Sequence, residues 1–332
     1  MTATLQNLRF VVWAHNRMRL LKTTLALFVL AVVGSASAAD NFQSLRAGLP
    51  HDALYAMARA DDALWAVGGH GMVLRSPDNG KSWERLASPG DFAALDVTTG
   101  DSQPVLVGQA GKAFEAVGGG NGWKALETGT DQRLLSVTDL AGGGQMAVGA
   151  FGTIIMRNPN SDSFEPITVD WEALVEDGFE PHLYDVLQTK SGTILISGEF
   201  GMVLRSRDNG KSWSVHNNDD ASVFALHEAS NGLLMGVGQA GYIISSGDDG
   251  ESWQSSASGT EANLLGVSSS GNTFAAVGVR AVLSSKNGGK SWKALVNRDT
   301  ERRWYQGVTP ISGAGEDRKF IAAGQFGQII NF

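Results

Sequence analysis

The chain has 332 residues, 42 of them glycine, with 18% charged residues and no cysteine. An apolar content of 42% suffices for a large buried core and excludes a disordered or fibrous chain. The missing cysteines exclude disulfides, thiolate metal sites and cysteine nucleophiles, and a formal charge of −8 argues against nucleic acid as a partner.

In chain order, residues 1–38 read first, as a secretory signal. Arg19 and Lys22 supply the basic flank, Leu25 to Val33 an apolar run too short to span a bilayer, and Ala36-Ser37-Ala38 the small residues signal peptidase requires. Cleavage is expected after Ala38 or Ala39, and Met18 is the expected true start. An uncleaved membrane anchor is the rival reading. Losing residues 1–38 removes four basic residues and no acid, leaving 22 basic against 34 acidic residues. The mature protein is therefore expected to be periplasmic or secreted, held together by packing alone.

From there to the C-terminus the chain repeats itself. An aromatic residue closes successive phrases at Trp83, Trp123, Phe164, Trp213, Trp253 and Trp292. A second ladder is an apolar-glycine step at Val67-Gly68, Val107-Gly108, Val148-Gly149, Ser197-Gly198, Val237-Gly238, Val277-Gly278 and Ala323-Gly324, where Ser197 alone breaks the apolar rule. Seven steps mean seven units. Each reads as four short strands bounded by Gly, Asn and Asp, as in LLSV, GQMAVG and GTIIM of the third. Four antiparallel strands repeated seven times predict an all-β, seven-bladed β-propeller over residues 39–332. The last unit stops at GQFGQIINF without an aromatic-led strand, whereas the stretch from Asn41 to Met57 places Phe42 where other units have Trp. The mature N-terminal strand is thus expected to complete the seventh blade and close the ring.

Four phrases share one pattern. Ser76, Asp78, Gly80 and Trp83 recur as Ser206, Asp208, Gly210 and Trp213, as Ser246, Asp248, Gly250 and Trp253, and, with Asn287 for Asp, as Gly289 and Trp292 after Ser285. The Asp can accept main-chain N–H bonds in the turn, the Gly allows positive φ, and the Trp is expected to pack between blades. The spaced oxygens and terminal Glu of an EF-type calcium loop are missing, so no metal is expected. No cofactor is expected either. The pattern resembles the Asp-box, or BNR repeat, of sialidase-like and sortilin-like propellers.

The box turns join strands three and four, so partner binding is expected at the opposite end, on the second-to-third-strand turns and the interblade loops. Those turns share a Gly-x-x-Gly frame with variable contents, which nominates His70, Phe151, Glu199, Phe200, Arg280 and Phe326. Packing on neighbouring blades is the alternative for the three phenylalanines. Arg133, His182, Asn263 and Arg303 are expected beside the innermost strands near the channel mouth. Two interblade loops are longer than the rest: Thr168 to His182 carries Trp171 and five acids, and Val296 to Tyr305 carries Arg298, Arg302, Arg303 and Trp304. Loop insertions on a repeat scaffold tend to map to the binding face. A surface acidic on one side and basic on the other suits a protein partner.

No Ser-His-Asp signature, P-loop or zinc motif is present. Arg133, Arg280 and Arg303 could be assembled into a sialidase-like triad only by counting. The whole mature chain resembles the photosystem II stability and assembly factor family of propellers, through units of the form VGxxGxIxxSxDGGxSW behind a signal peptide. That resemblance implies a monomeric, non-catalytic scaffold that binds a membrane-protein complex through an arginine-rich patch, to which Arg298, Arg302 and Arg303 correspond in character. In a non-photosynthetic bacterium the complex would be envelope machinery such as an export system. The alternative is a glycoside hydrolase or glycan-binding propeller. Two carboxylates about 5 to 10 Å apart in the channel mouth would favour the enzyme, and an acid-poor aromatic surface the scaffold.

Overall fold

Among the described residues, the short apolar runs of the repeat form 28 strands. The computed structural model describes residues 42–60, 63–100, 103–175, 178–311 and 320–332. The chain divides into residues 1–40 and a compact unit of residues 41–332, and the described residues all belong to the second. The expected signal, its cleavage point and Met18 lie outside them.

Gln43–Arg46 (β1) comes first. Blade 1 is Leu54–Arg59, Leu64–Gly68, Val73–Ser76 and Glu84–Arg85 (β2–β5), and blade 2 is Ala94–Thr98, Val105–Gly108, Ala113–Val117 and Gly122–Leu126 (β6–β9). Blade 3 is Leu134–Asp139, Gln145–Gly149, Ile154–Arg157 and Phe164–Pro166 (β10–β13), and blade 4 is Leu183–Gln188, Ile194–Gly198, Val203–Ser206 and Ser214–Asn217 (β14–β17). Blade 5 is Val223–Glu228, Leu234–Gly238, Ile243–Ser246 and Gln254–Ser256 (β18–β21), and blade 6 is Leu264–Ser270, Thr273–Gly278, Ala281–Ser285 and Lys293–Ala294 (β22–β25). Tyr305–Pro310, Phe320–Gly324 and Ile329–Asn331 (β26–β28) make blade 7.

Every sheet is antiparallel and runs in chain order except blade 7, whose outermost strand is β1. Gln43 pairs with Asn331, and the Phe42 ring lies 5.7 Å from Phe332. The innermost strands β2, β6, β10, β14, β18, β22 and β26 neighbour one another in a closed cycle around a channel. The protein is a seven-bladed β-propeller.

The glycine ladder has a steric cause. A Cβ on Gly68, Gly108, Gly149, Gly238, Gly278 or Gly324 would lie 1.8–2.1 Å from the carbonyl oxygen of the residue leading into the innermost strand, from Ala53 to Trp304. Only hydrogen fits there. Before each glycine, the second strand is buried on both faces because adjacent blades cover it, and the buried apolar side chains form seven clusters, one at each blade junction. Burial of this kind contributes about 25 cal/mol per Å² of apolar surface.

The Ser-x-Asp-x-Gly turns fasten both a hairpin and a junction. The buried Ser76, Ser206 and Ser246 hydroxyls accept the N–H of Gly80, Gly210 and Gly250 at 2.8–3.0 Å and donate to Asp78, Asp208 and Asp248 at 2.7–2.9 Å. Each Asp then accepts the hydroxyl and main-chain hydrogens of Ser82, Ser212 or Ser252. These bonds, the second serine's hydroxyl foremost, hold all three carboxyls down to about 2. In blade 6, Asn287 makes the same contacts and its amide donates to Ser291 Oγ at 2.9 Å. Gly80, at φ +90°, would put a Cβ 2.1 Å from Ile321 of blade 7, and Gly289 one 2.2 Å from Met235 of blade 5. The turn is therefore pressed against the preceding blade, where Trp83, Trp213, Trp253 and Trp292 also pack.

Candidate binding face

The second-to-third-strand turns lie at the other end of each blade. In six of them two consecutive residues adopt left-handed backbone: His70-Gly71, Ala110-Gly111, Phe151-Gly152, Phe200-Gly201, Ala240-Gly241 and Phe326-Gly327. The N–H of the next residue closes the turn, as in Met72 to Gly69 O at 3.0 Å. This is type I′ geometry, whose twist matches that of the flanking strands. The second position must be glycine: at Gly71, Gly111 and Gly241 a Cβ would lie 1.8–2.0 Å from a carbonyl of the following connection. In blade 6, which has Ala281 there, only Arg280 is left-handed. The first position carries His, Ala, Phe or Arg, and a bulky L-residue there costs about 1 kcal/mol or more.

Phe151 and Phe200 are 58% and 51% exposed, so these two do not pack away on neighbouring blades. The Phe151 ring meets the edge of His182 at 4.9 Å, and its N–H donates to His182 Nδ1. His182 N–H donates to Glu199 at 2.9 Å, which pins the end of the long loop to the blade 4 turn. Phe326 is half-buried, with the Arg303 guanidinium 5.5 Å above its ring. His70 faces Asp91 at 3.0 Å with both side chains well exposed, a contact of little energetic weight.

The two long loops are built differently. In Thr168–His182, Asp170 caps a short helix, Trp171–Leu174, by accepting the Ala173 N–H. Trp171 is only 8% exposed and joins the core between blades 3 and 4. Its nomination as a partner-face residue is thereby corrected: the indole anchors the loop, and Gly152 is glycine because a Cβ would come within 2.7 Å of the ring nitrogen. Beyond the anchor lies a cleft of about 620 Å³ lined by Leu174, Val175, Phe179, Phe200, Met202 and Val215, with Asn218, Asp219 and Asp220 at its rim. Phe179 and Phe200 meet edge to face at 5.3 Å. The acid-poor aromatic surface that would favour a scaffold is not what forms here; Phe179 and Phe200 sit beside Asp219 and Asp220. Two of the five acids in this loop, Glu176 and Asp177, lie outside the described residues.

In Val296–Tyr305, the Asn297 side chain accepts the N–H groups of Asp299 and Thr300, and Asp299 accepts from Gln328, itself bonded to the buried Tyr305 hydroxyl. Arg303 pairs with Asp299 at 3.4 Å, Trp304 stacks on Tyr55 at 5.7 Å across the closing junction, and Arg298 and Arg302 are left exposed. Of the three arginines that counting could assemble, Arg133 stands at blade 3, whereas Arg280 and Arg303 stand at blades 6 and 7, joined through the Arg280 N–H to Arg303 O bond.

The channel holds residues that sequence reasoning missed. The register slips at the second position of every innermost strand, so that Tyr55, Leu95, Leu135, Tyr184, Phe224, Leu265 and Gln306 stand unpaired and line the channel as a collar. At the next position, Ser136 Oγ lies 2.9 Å from Asp96 Oδ2 and 2.7 Å from Asp185 Oδ1. Asp96 also accepts from Val97 and Val137, and Asp185 from Val186 and Leu226, so each carboxylate ties its own blade to the next. Burial raises both carboxyls, Asp96 to about 7 with the help of the neighbouring charge of Asp185, and Asp185 to about 6. One serine hydrogen serves only one carboxylate at a time, and a single proton on the Asp96–Ser136–Asp185 chain satisfies the rest. Aligning the third position of the innermost strands across the seven units would have exposed this pair. Among the described residues no cluster of His, Cys, Asp and Glu is arranged to hold a metal, and no helix is long and apolar enough to cross a membrane.

No family model and no curated protein matches the chain. Solved structures do match it. It is similar to YCF48 bound to D1 peptide, at 17% identity over 88% of this chain and 95% of that one, with a TM-score of 0.66. It is similar to YCF48 from Cyanidioschyzon merolae at 15% identity over 88% and 98% of the two chains, with a TM-score of 0.67. An extracellular domain assigned to a one-component system of B. thetaiotaomicron matches at 12% identity, covering 84% of this chain and 40% of that one, with a TM-score of 0.64. At such identities the likeness is one of fold, that of the seven-bladed propeller.

Proposed function

We propose that the mature chain is an exported, monomeric, non-catalytic scaffold that holds a protein partner, a component of a membrane complex in the envelope, on its second-to-third-turn face. The observation that carries this reading is the exposure of Phe151 and Phe200 in left-handed turns, where folding gains little from a large side chain and surface recognition gains most. A similar fold has been solved with a peptide bound, which supports the same use of this one. The Ser-x-Asp-x-Gly turns, in their likeness to Asp-boxes, serve the scaffold and not the partner. Affinity capture from detergent-solubilised envelopes with residues 39–332 tests the reading. A specific membrane complex, reduced by Arg302→Glu with Arg303→Glu, is expected; recovery of no protein would overturn it.

One observation favours a second reading. Asp96 and Asp185 share a hydroxyl, a spacing compatible with a paired-carboxylate glycosidase. Their site measures about 140 Å³, below the 300–1,000 Å³ typical of ligand pockets, and the main chain already occupies their oxygens. Glycosidase activity lost in Asp96→Asn would reverse the order of the two readings.

A further inference from the structure

We infer that the cleft lined by Leu174, Phe179, Phe200 and Val215 is the anchoring pocket for a cationic segment of the partner: a large aliphatic or aromatic side chain flanked by lysine or arginine. The inference rests on the scaffold reading and deepens it. Residues from three parts of the chain converge on the cleft: Leu174, Val175 and Phe179; Phe200 and Met202; and Val215 with Asn218 to Asp220. Its volume of about 620 Å³ falls within the range of ligand pockets and has room for more than one large side chain. Its lining offers apolar surface from Leu174, Val175, Phe179 and Phe200, none of which is fully buried.

Charge selects the occupant. Asp219 and Asp220 stand at the rim of the cleft, and none of its lining residues is lysine or arginine. Asp219 is held by the Tyr242 hydroxyl at 2.8 Å and by its own N–H bond to Phe200 O, so one rim carboxylate is fixed to the turn that presents the aromatic ring. An acidic segment entering here would meet like charge at the rim. A basic one gains Coulomb attraction at the rim while its apolar residue is desolvated inside. The opposite sector, with Arg280, Arg298 and Arg302 exposed, cannot serve the same segment.

The test uses fluorescein-labelled hexapeptides and fluorescence anisotropy with residues 39–332. The first peptide has two lysines, tryptophan, leucine and two lysines; the second replaces the lysines by glutamates, and the third replaces tryptophan and leucine by serines. The first is expected to bind at least tenfold more tightly than either other, and its affinity to fall as salt rises towards the regime where the Debye length is about 3 Å. Phe200→Gly should weaken it about tenfold. Because glycine adopts the left-handed backbone found at φ 53° without steric cost, the variant keeps the turn, and a circular-dichroism melt matching wild type shows that its loss of binding is not a loss of fold. Asp219→Asn with Asp220→Asn should flatten the salt dependence, and Lys211→Ala at the other end of the blade should change nothing. Equal binding of the first two peptides, or unchanged binding by Phe200→Gly, overturns the inference. So does a concentration-dependent dimer abolished by Phe200→Gly, which would make a second copy the occupant. If Phe200→Gly still captures the envelope partner, the cleft proposal falls and the scaffold reading survives.

Discussion

The two ends of each blade use the same covalent devices for opposite purposes. At the box end, four turns repeat nearly letter for letter, and in each the serine hydroxyl, the glycine N–H and the Asp or Asn side chain are bonded within the turn. At the other end, glycines set the backbone while the residue between them is His, Ala, Phe or Arg. Where hydrogen bonding is saturated locally, sequence is constrained by the fold. Where only φ is fixed, the fold leaves the side chain free to vary.

The sharpest way to break this contrast is within one turn. Gly68→Ala would place a Cβ 1.8 Å from Ala53 O and is expected to cost about 3 kcal/mol by chemical denaturation. Gly69→Ala, one residue on, meets nothing within 4 Å and should leave the midpoint almost unmoved. At the box end, Ser206→Ala leaves the buried Gly210 N–H without an acceptor, and a loss of about 1–3 kcal/mol is expected.

The smallest effect, and the most diagnostic, is in pH. The carboxyls of Asp78, Asp208 and Asp248 are depressed to about 2, so their contribution is present above the ordinary carboxylate range and is lost as pH falls from about 4 towards 2. Asp96 and Asp185 have the opposite sign. Their raised values mean the folded state holds the extra proton, so stability declines as pH rises from about 4 through about 7. Asp96→Asn is expected to remove part of that decline, raising the melting temperature above pH 7 and leaving it unchanged near pH 4. A melting profile that stays parallel to wild type across this window would show that the pair carries no proton of its own.

The blade count was legible because the feature that sets it is steric and recurs: a glycine forced by a carbonyl less than 2.2 Å from its missing Cβ in six of seven blades. Ring closure was legible for a similar reason, since Phe42 occupies the place of a tryptophan against Phe332. The channel collar was not. Strand alternation assigns faces by twos, and a bulge at the second residue of every innermost strand breaks that count where Tyr184 and Asp185 both face the channel. The cleft was invisible because Leu174, Phe200 and Asp219 share no local pattern, and Trp171 was misplaced because an aromatic residue in a polar insertion reads as exposed whether or not the fold has a hole for it.

The seating of β1 beside β28 has a kinetic consequence. The pair joins residues made nearly three hundred positions apart, and Arg46 reaches across to the carbonyl of Gly327 to clasp it. During synthesis the first six blades can stack on one another as they emerge, but blade 7 lacks its outer strand until the earliest part of the domain and its last part meet. Loop-closure entropy of that length makes the meeting the late event in folding. Until then blade 7 presents an unpaired β28, the surface through which an incomplete ring would find another copy of itself.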